Sequence, residues 1–149
     1  FAQYVNCQNP SDEDSCGKCP ACIKYQKLIH PDLHFSFPTI GSKEVSSAFM
    51  ENWRKAMDEN PYLSAFDWLQ FLGAENKQGN ITREECHDII KKLNLKSYEG
   101  KYKVLILWMP EYLGKNGNAL LKLIEEPPAQ TLFLFVGNST DQILATILS

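Results

Sequence analysis

No apolar run in this chain is long enough to cross a membrane. The longest uncharged one, Val104 to Met109, falls far short of the roughly 18 residues a spanning helix needs. No charged start followed by an apolar segment marks a signal peptide, so a soluble, intracellular chain is expected. An excess of positive charge is also missing. Fifteen Lys+Arg face eighteen Asp+Glu for a formal charge of −3, which excludes gripping nucleic acid with the whole surface and leaves only a local contact. Internal repeats and low-complexity tracts are absent. So is the phosphate-cradling G-x-x-x-x-G-K-[ST] loop: the Gly-Lys pairs at Gly17, Gly100 and Gly114 are followed by Cys19, Tyr102 and Asn116, and none has the required first glycine. The chain starts at Phe1 without a methionine and stops at Ser149 after an apolar run, so it is expected to be a piece of a longer protein.

What is present suffices for one globular domain spanning 1–149: 44% of the 149 residues are hydrophobic and 22% charged. Four of the five cysteines, Cys7, Cys16, Cys19 and Cys22, fall in the first 22 residues with spacing C-x8-C-x2-C-x2-C. Two-residue gaps let thiolates on tight turns converge on one ion, and four thiolates complete the tetrahedron of a structural zinc. Asn9 to Lys18 carries no apolar side chain except at Cys16, so ligation would supply order that burial cannot. Two other readings compete. Cys16-x-x-Cys19 and Cys19-x-x-Cys22 match the dithiol motif of redox enzymes, but that motif follows a buried strand, and Ser11-Asp12-Glu13-Asp14-Ser15 is not one. A pair of disulfides is disfavoured inside a cell. His30 and His34 are extra candidate ligands that four thiolates leave no room for. Cys86 shares an apolar helix face with Ile89, Ile90 and Leu93 and reads as a small core residue.

Hydropathy patterning predicts a helix over Pro20 to Ile29, stopped at His30-Pro31, and a strand Leu33 to Phe37 with one buried face. A helical insertion of about 42–96 follows. Val45, Phe49, Trp53, Ala56 and Met57 form one apolar face, and a second helix from Pro61 turns Tyr62, Phe66, Leu69 and Leu72 inward. A capping box, Thr82-x-x-Glu85, opens a third. Trp53, Trp68 and Trp108 lie in apolar patterns without interleaved basic residues and read as core rather than base-stacking platforms. Val104 to Met109 and Leu132 to Val136 are continuous apolar strands, separated by a helix Lys115 to Glu125 with Ala119, Leu120, Leu123 and Ile124 inward. That alternation is an α/β parallel sheet covered on both faces. Ligands of such sheets sit beyond the carboxyl ends of the strands, where a nucleotide hydrolase places acidic residues. Here stand Trp108, Met109 and Pro110, with only Glu111 beyond.

The four-cysteine spacing, His30-Pro31-Asp32 and the run Asn118-Ala119-Leu120-Leu121-Lys122-Leu123-Ile124-Glu125-Glu126-Pro127-Pro128 together resemble the clamp-loader subunits of bacterial DNA polymerase III, the gamma/tau and delta-prime proteins. The resemblance implies a truncated P-loop NTPase-like (AAA+) module, a three-layer parallel sheet with a zinc knuckle inserted at 7–22. Thr146 to Ser149 then runs into the family's Ser-Arg-Cys motif, with the arginine beyond the last residue. It implies that Cys7, Cys16, Cys19 and Cys22 hold a structural Zn, that Asn138 occupies the sensor-1 position, and that Asn118, Lys122, Glu125 and Glu126 lie near a subunit interface. Gamma/tau subunits carry an Asp-Glu pair at the strand end; Trp108-Met109 replaces it, as expected of the delta-prime branch, which does not hydrolyse ATP. Partners implied are the gamma/tau and delta subunits and, through the complex, the sliding clamp and primed DNA, in the bacterial cytoplasm and with no membrane. Three blander readings stand beside these: solvated charge for the 118–126 face, a turn cap for Asn138, and core packing for the helix. Two other functions compete, an ATP-hydrolysing gamma/tau motor relying on Glu111, and a freestanding zinc-knuckle module touching nucleic acid through Lys18, Lys24 and Lys27.

Overall fold

The computed structural model describes residues 1–142; the Thr146 to Ser149 run lies outside them. Three parallel strands, β1 (Leu33–Ser36), β2 (Lys103–Trp108) and β3 (Thr131–Val136), pair in the order β1-β2-β3, with Leu33 opposite Val104 and Val104 opposite Leu132. The continuous apolar sequence of β2 suits the central position, because its successive side chains feed opposite faces. Leu105 and Leu107 pack with α5 (Arg83–Leu93) and the 110–125 segment. Val104 packs on the other face with Ala2 of α1 (Ala2–Asn6) and Tyr25 of α2 (Pro20–Gln26). Helices on both faces make this a three-layer α/β arrangement. Among the described residues no helix is long and apolar enough to cross a membrane.

Both outer strands depart from their patterns. β1 was expected to bury one face, yet Ser36 is fully buried along with Leu33, since helices cover both sides of the sheet. β3 reads as fully covered but is only half-buried along its length; among the described residues it pairs on one side alone.

The segment between β1 and β2 begins with a short 3-10 turn, Ser46–Phe49, leading into α3 (Met50–Glu59). The next helix, α4 (Ala65–Phe71), starts four residues later than proline placement suggests. Ser64 caps it, accepting from Asp67 N, and Asp67 accepts from Ser64 N in return. That start rotates the buried face onto Ala65, Trp68 and Leu69, leaving Tyr62 and Phe66 93% and 69% exposed rather than inward. The Thr82 capping box is half made. Thr82 Oγ1 accepts from Glu85 N at 3.0 Å, but the buried Glu85 carboxylate accepts from Ser46 N instead of reaching back. Burial pushes the Glu85 carboxyl above its ordinary range, and the Ser46 amide opposes that push. Ser46 Oγ meanwhile accepts from Phe37 N at 3.0 Å, so one serine ties the end of β1 to α5.

The expected helix Lys115 to Glu125 is mostly not α-helical. A 3-10 segment runs over Pro110–Leu120, interrupted at Gly114 (φ 53°), and only α6 (Leu121–Glu125) is α-helical. The tighter 3-10 winding changes the inward set: Leu113, Gly117 and Leu120 are buried, while Ala119 is exposed. Cys86 behaves as the pattern predicts. It is fully buried, its Sγ lies 3.4 Å from Asn116 O, and burial pushes its thiol up to about 12.

Candidate functional site: a four-cysteine centre and the strand ends

Cys7 follows the last turn of α1, Cys16 precedes the left-handed Gly17 (φ 72°), and Cys19 is the N-cap of α2, with Pro20 in its first turn and Cys22 one turn in. Their four sulfurs lie within 4.8 Å of one another, with Cys16 and Cys22 Sγ 3.9 Å apart. A tetrahedron of metal–sulfur bonds of about 2.3 Å needs sulfur edges of about 3.8 Å, so the donor set fits zinc in both geometry and chemistry. Among the described residues no histidine joins it. Backbone amides aim at the sulfurs: Asn9 N and Cys16 N donate to Cys7, Lys18 N and Cys19 N to Cys16, and Cys22 N to Cys19, all at 3.3–3.4 Å. Amide donors stabilise thiolate charge. The Gln8 and Cys22 amides draw the Cys19 thiol down to about 6, those of Lys18 and Cys19 lower Cys16, and burial pushes Cys22 up to about 11.

The cysteine segment is fastened to the sheet by residues no metal pattern singles out. Asn6 donates from Nδ2 to Tyr25 OH (2.6 Å) and Tyr102 O (2.9 Å) and accepts from Tyr102 N (2.8 Å). Asp32, 2% exposed, accepts from the consecutive amides of Tyr98 (2.5 Å), Glu99 (2.8 Å) and Gly100 (2.6 Å). His30 is 3% exposed; its Nδ1 accepts from Asp32 N at 3.1 Å. Lys24 of α2 pairs with Glu99 at 2.5 Å. His30-Pro31-Asp32 thus builds a joint between α2, β1 and the 98–100 loop. Its signal in sequence was the pre-proline helix stop followed by an acid, which reveals nothing about a partner 66 residues away.

Burial opposes ionisation of Asp32, but the three amides overcome it and hold the carboxyl below its usual range. A lowered folded-state value means stabilisation complete above the unfolded value of about 3.9 and lost as pH falls through the folded one. Asp32→Asn should therefore cost about 2 kcal/mol at neutral pH and less in acid. Urea midpoints measured from neutral pH down to about pH 3 should converge for the two proteins; parallel curves would show that the charge is not what the amides hold.

At the carboxyl ends of the strands the hydrophobic reading is the right one. Trp108 and Met109 are 8% and 6% exposed and join Phe37, Trp53 and Trp68 in one cluster. Trp53 stacks on Phe37 at 4.4 Å between ring centroids and meets Trp68 and Trp108 edge-on at 5.1 and 5.2 Å. Helices α3 and α4 supply two of these rings, so they seal the strand ends. Glu111 lies just beyond, both carboxylate oxygens shielded from solvent and without a partner among the described residues. Asn138 is exposed two residues past β3, where Ser139 Oγ, rather than Asn138, accepts from Gln142 N at 3.5 Å. Asn118, Lys122, Glu125 and Glu126 are exposed along or just after the 110–125 segment, Lys122 and Glu126 lining a groove with Ile90 and Asn94. Neither Glu125 nor Glu126 joins the sulfur cluster.

A parallel α/β sheet with packed strand ends and a cluster of four thiols at one margin describes a scaffold with a candidate metal centre. The chain belongs to the family described as DNA polymerase III, delta subunit, whose model matches residues 1–149. It is 25% identical over 152 residues to the DNA polymerase III subunit delta' of Escherichia coli (strain K12) and 26% identical to that of Yersinia pestis. Those alignments cover all of this chain and 34% of each relative, so the chain spans about a third of their length. Among solved structures, a DNA polymerase III gamma subunit-related protein from Thermotoga maritima matches with a TM-score of 0.44 and 17% identity, over 85% of this chain and 41% of that one.

Proposed function

We propose that this chain is part of the non-hydrolysing, delta-prime-type subunit of a bacterial clamp loader, a truncated AAA+ module with a structural zinc knuckle formed by Cys7, Cys16, Cys19 and Cys22. Its role is to hold geometry in the bacterial cytoplasm: it takes its place beside gamma/tau and delta subunits so that the complex sets the sliding clamp on primed DNA. The observation that carries this reading is the strand end. Magnesium and an attacking water need carboxylates at the carboxyl end of the strand that here delivers Trp108 and Met109 into an aromatic cluster. In this assignment Asn138 stands at the sensor-1 position, and Asn118, Lys122, Glu125 and Glu126 face a neighbouring subunit. A nucleic-acid module is less well supported, since Lys24 is already paired with Glu99.

A specific observation favours one alternative, the ATP-hydrolysing gamma/tau type: Glu111 holds an unpartnered carboxylate beside the strand end. ATP turnover by the full-length protein, alone and as Glu111→Gln, separates the two. The delta-prime reading expects no turnover in either; turnover abolished by Glu111→Gln would establish the motor.

A further inference from the structure

Cys19-Pro20-Ala21-Cys22 lacks the buried strand that precedes the dithiol of a redox enzyme, yet the fold gives this pair the accessible and the resolving thiol that such chemistry needs. Cys19, the N-cap of α2, is partly exposed, and its sulfur accepts from Cys22 N at 3.4 Å. Cys22, fully buried, sits behind it in the first helical turn. Three residues of helix separate α-carbons by about 5 Å, inside the range a disulfide spans without backbone movement. The four sulfurs of the centre already lie within 4.8 Å of one another. Their amide donors, Asn9, Cys16, Lys18, Cys19 and Cys22, come from within the cysteine segment itself.

We propose, resting on the zinc reading of these thiols, that the four-cysteine centre is a reversible redox switch in which peroxide closes Cys19 onto Cys22 at the expense of the metal. Hydrogen peroxide transfers one OH to the Cys19 thiolate, forming an S–O bond and breaking the O–O bond as hydroxide departs. The Cys22 thiolate then attacks that sulfur; the S–S bond forms and the sulfenic oxygen leaves as a second hydroxide. The two sulfurs give up two electrons and the peroxide gains them. Only Cys7 and Cys16 then remain as thiolates, half the shell of a structural zinc, so the disulfide and the metal exclude one another. A dithiol reductant returns both thiols and with them the site. Cys16 is the competing partner, its sulfur 3.9 Å from that of Cys22, but the shorter loop from Cys19 closes at lower entropic cost. Oxidation loosens residues 8–18, which carry almost no apolar surface and are otherwise tied to α1 and α2 by side-chain bonds of Gln3, Tyr4 and Gln26. Helix α2 keeps its place, because the new bond lies inside its first turn and Lys24 still pairs with Glu99.

The test titrates full-length protein with hydrogen peroxide and follows zinc release with a chromogenic chelator, disulfides by peptide mass spectrometry, and amide exchange in parallel. Zinc content of the reduced protein is measured first: its absence would count against the zinc reading alone, and the disulfide map would still decide the pair. Zinc should leave in step with a Cys19–Cys22 disulfide, and exchange should rise across residues 8–18 while the 98–100 loop stays protected. Cys86, fully buried, should stay reduced, and dithiothreitol with zinc should reverse the changes. In Cys7→Ser, which removes a ligand but neither disulfide partner, the same bond should form at lower peroxide. Zinc retained, a disulfide between Cys16 and Cys22, or zinc lost only as Cys19 passes irreversibly to sulfinic acid would overturn the proposal.

Discussion

Trp53→Ala should lower the unfolding free energy by about 3–5 kcal/mol, the range seen when a buried aromatic is truncated and its cavity cannot fully collapse. Trp53 is 2% exposed and meets four other rings: Phe35 of β1, tilted, Phe37 just after β1, stacked, and Trp68 of α4 and Trp108 at the end of β2, both edge-on. Removing it takes away apolar burial and four aromatic pairings together. Trp53→Phe keeps the stacking on Phe37 and should lose less than half as much. Its indole N–H has no partner among the described residues, so no buried acceptor is orphaned by the change. Urea unfolding with an unchanged slope is the measurement. A loss below about 1 kcal/mol for the alanine variant would mean that the strand ends are not sealed as described.

The second large effect concerns the thiols. Full-length protein purified under reducing conditions without chelator should carry one zinc per chain, and Cys22→Ser should abolish it. Apparent zinc-binding free energies of about 10–16 kcal/mol in small structural sites set the scale. Cys22 is the informative position because it is fully buried and its thiol is pushed up to about 11, so metal must displace a firmly held proton. Acid should release the metal for the same reason. In Cys22→Ser, amide hydrogen exchange should accelerate across residues 7–19 and in the 98–100 loop, which is tied to α2 through Lys24 and Glu99, while β2 stays protected. Cys86→Ser, in the core on the other face of the sheet, serves as the control and should retain zinc. Metal-free reducing preparations with unaltered exchange would overturn the structural role.

Much of this was legible in the residues, and the misses share a cause. The four cysteines were readable because ligand spacing is local: Cys16, Cys19 and Cys22 are two turns of chain, and local geometry alone brings them together. β2 was readable because a strand buried on both faces needs unbroken apolar sequence. Helix phase was harder. Tyr62 and Phe66 looked inward because apolar spacing was extended backwards from Pro61, whereas the reciprocal Ser64–Asp67 cap starts the helix later and turns them out. Ala119 was misplaced because period alone does not distinguish α from 3-10 winding. The partners of Asp32 could not be read from the sequence. An acid before a strand looks like a surface residue until the amides of Tyr98 to Gly100 arrive from a distant part of the chain.

That distance has a consequence for how the molecule assembles itself. The contacts fastening the cysteine segment to the sheet, Asn6 to Tyr102 and Asp32 to the 98–100 loop, join residues 66 to 96 positions apart. Loop-closure entropy delays such contacts relative to local ones. The thiol turns can therefore close around an ion early and on their own, whereas docking waits until the whole segment between β1 and β2 has folded and brought β2 alongside β1. Any slowing of that segment's folding would leave a formed but undocked cysteine turn as the transient species, with Asp32, Asn6 and the β1 edge still in water.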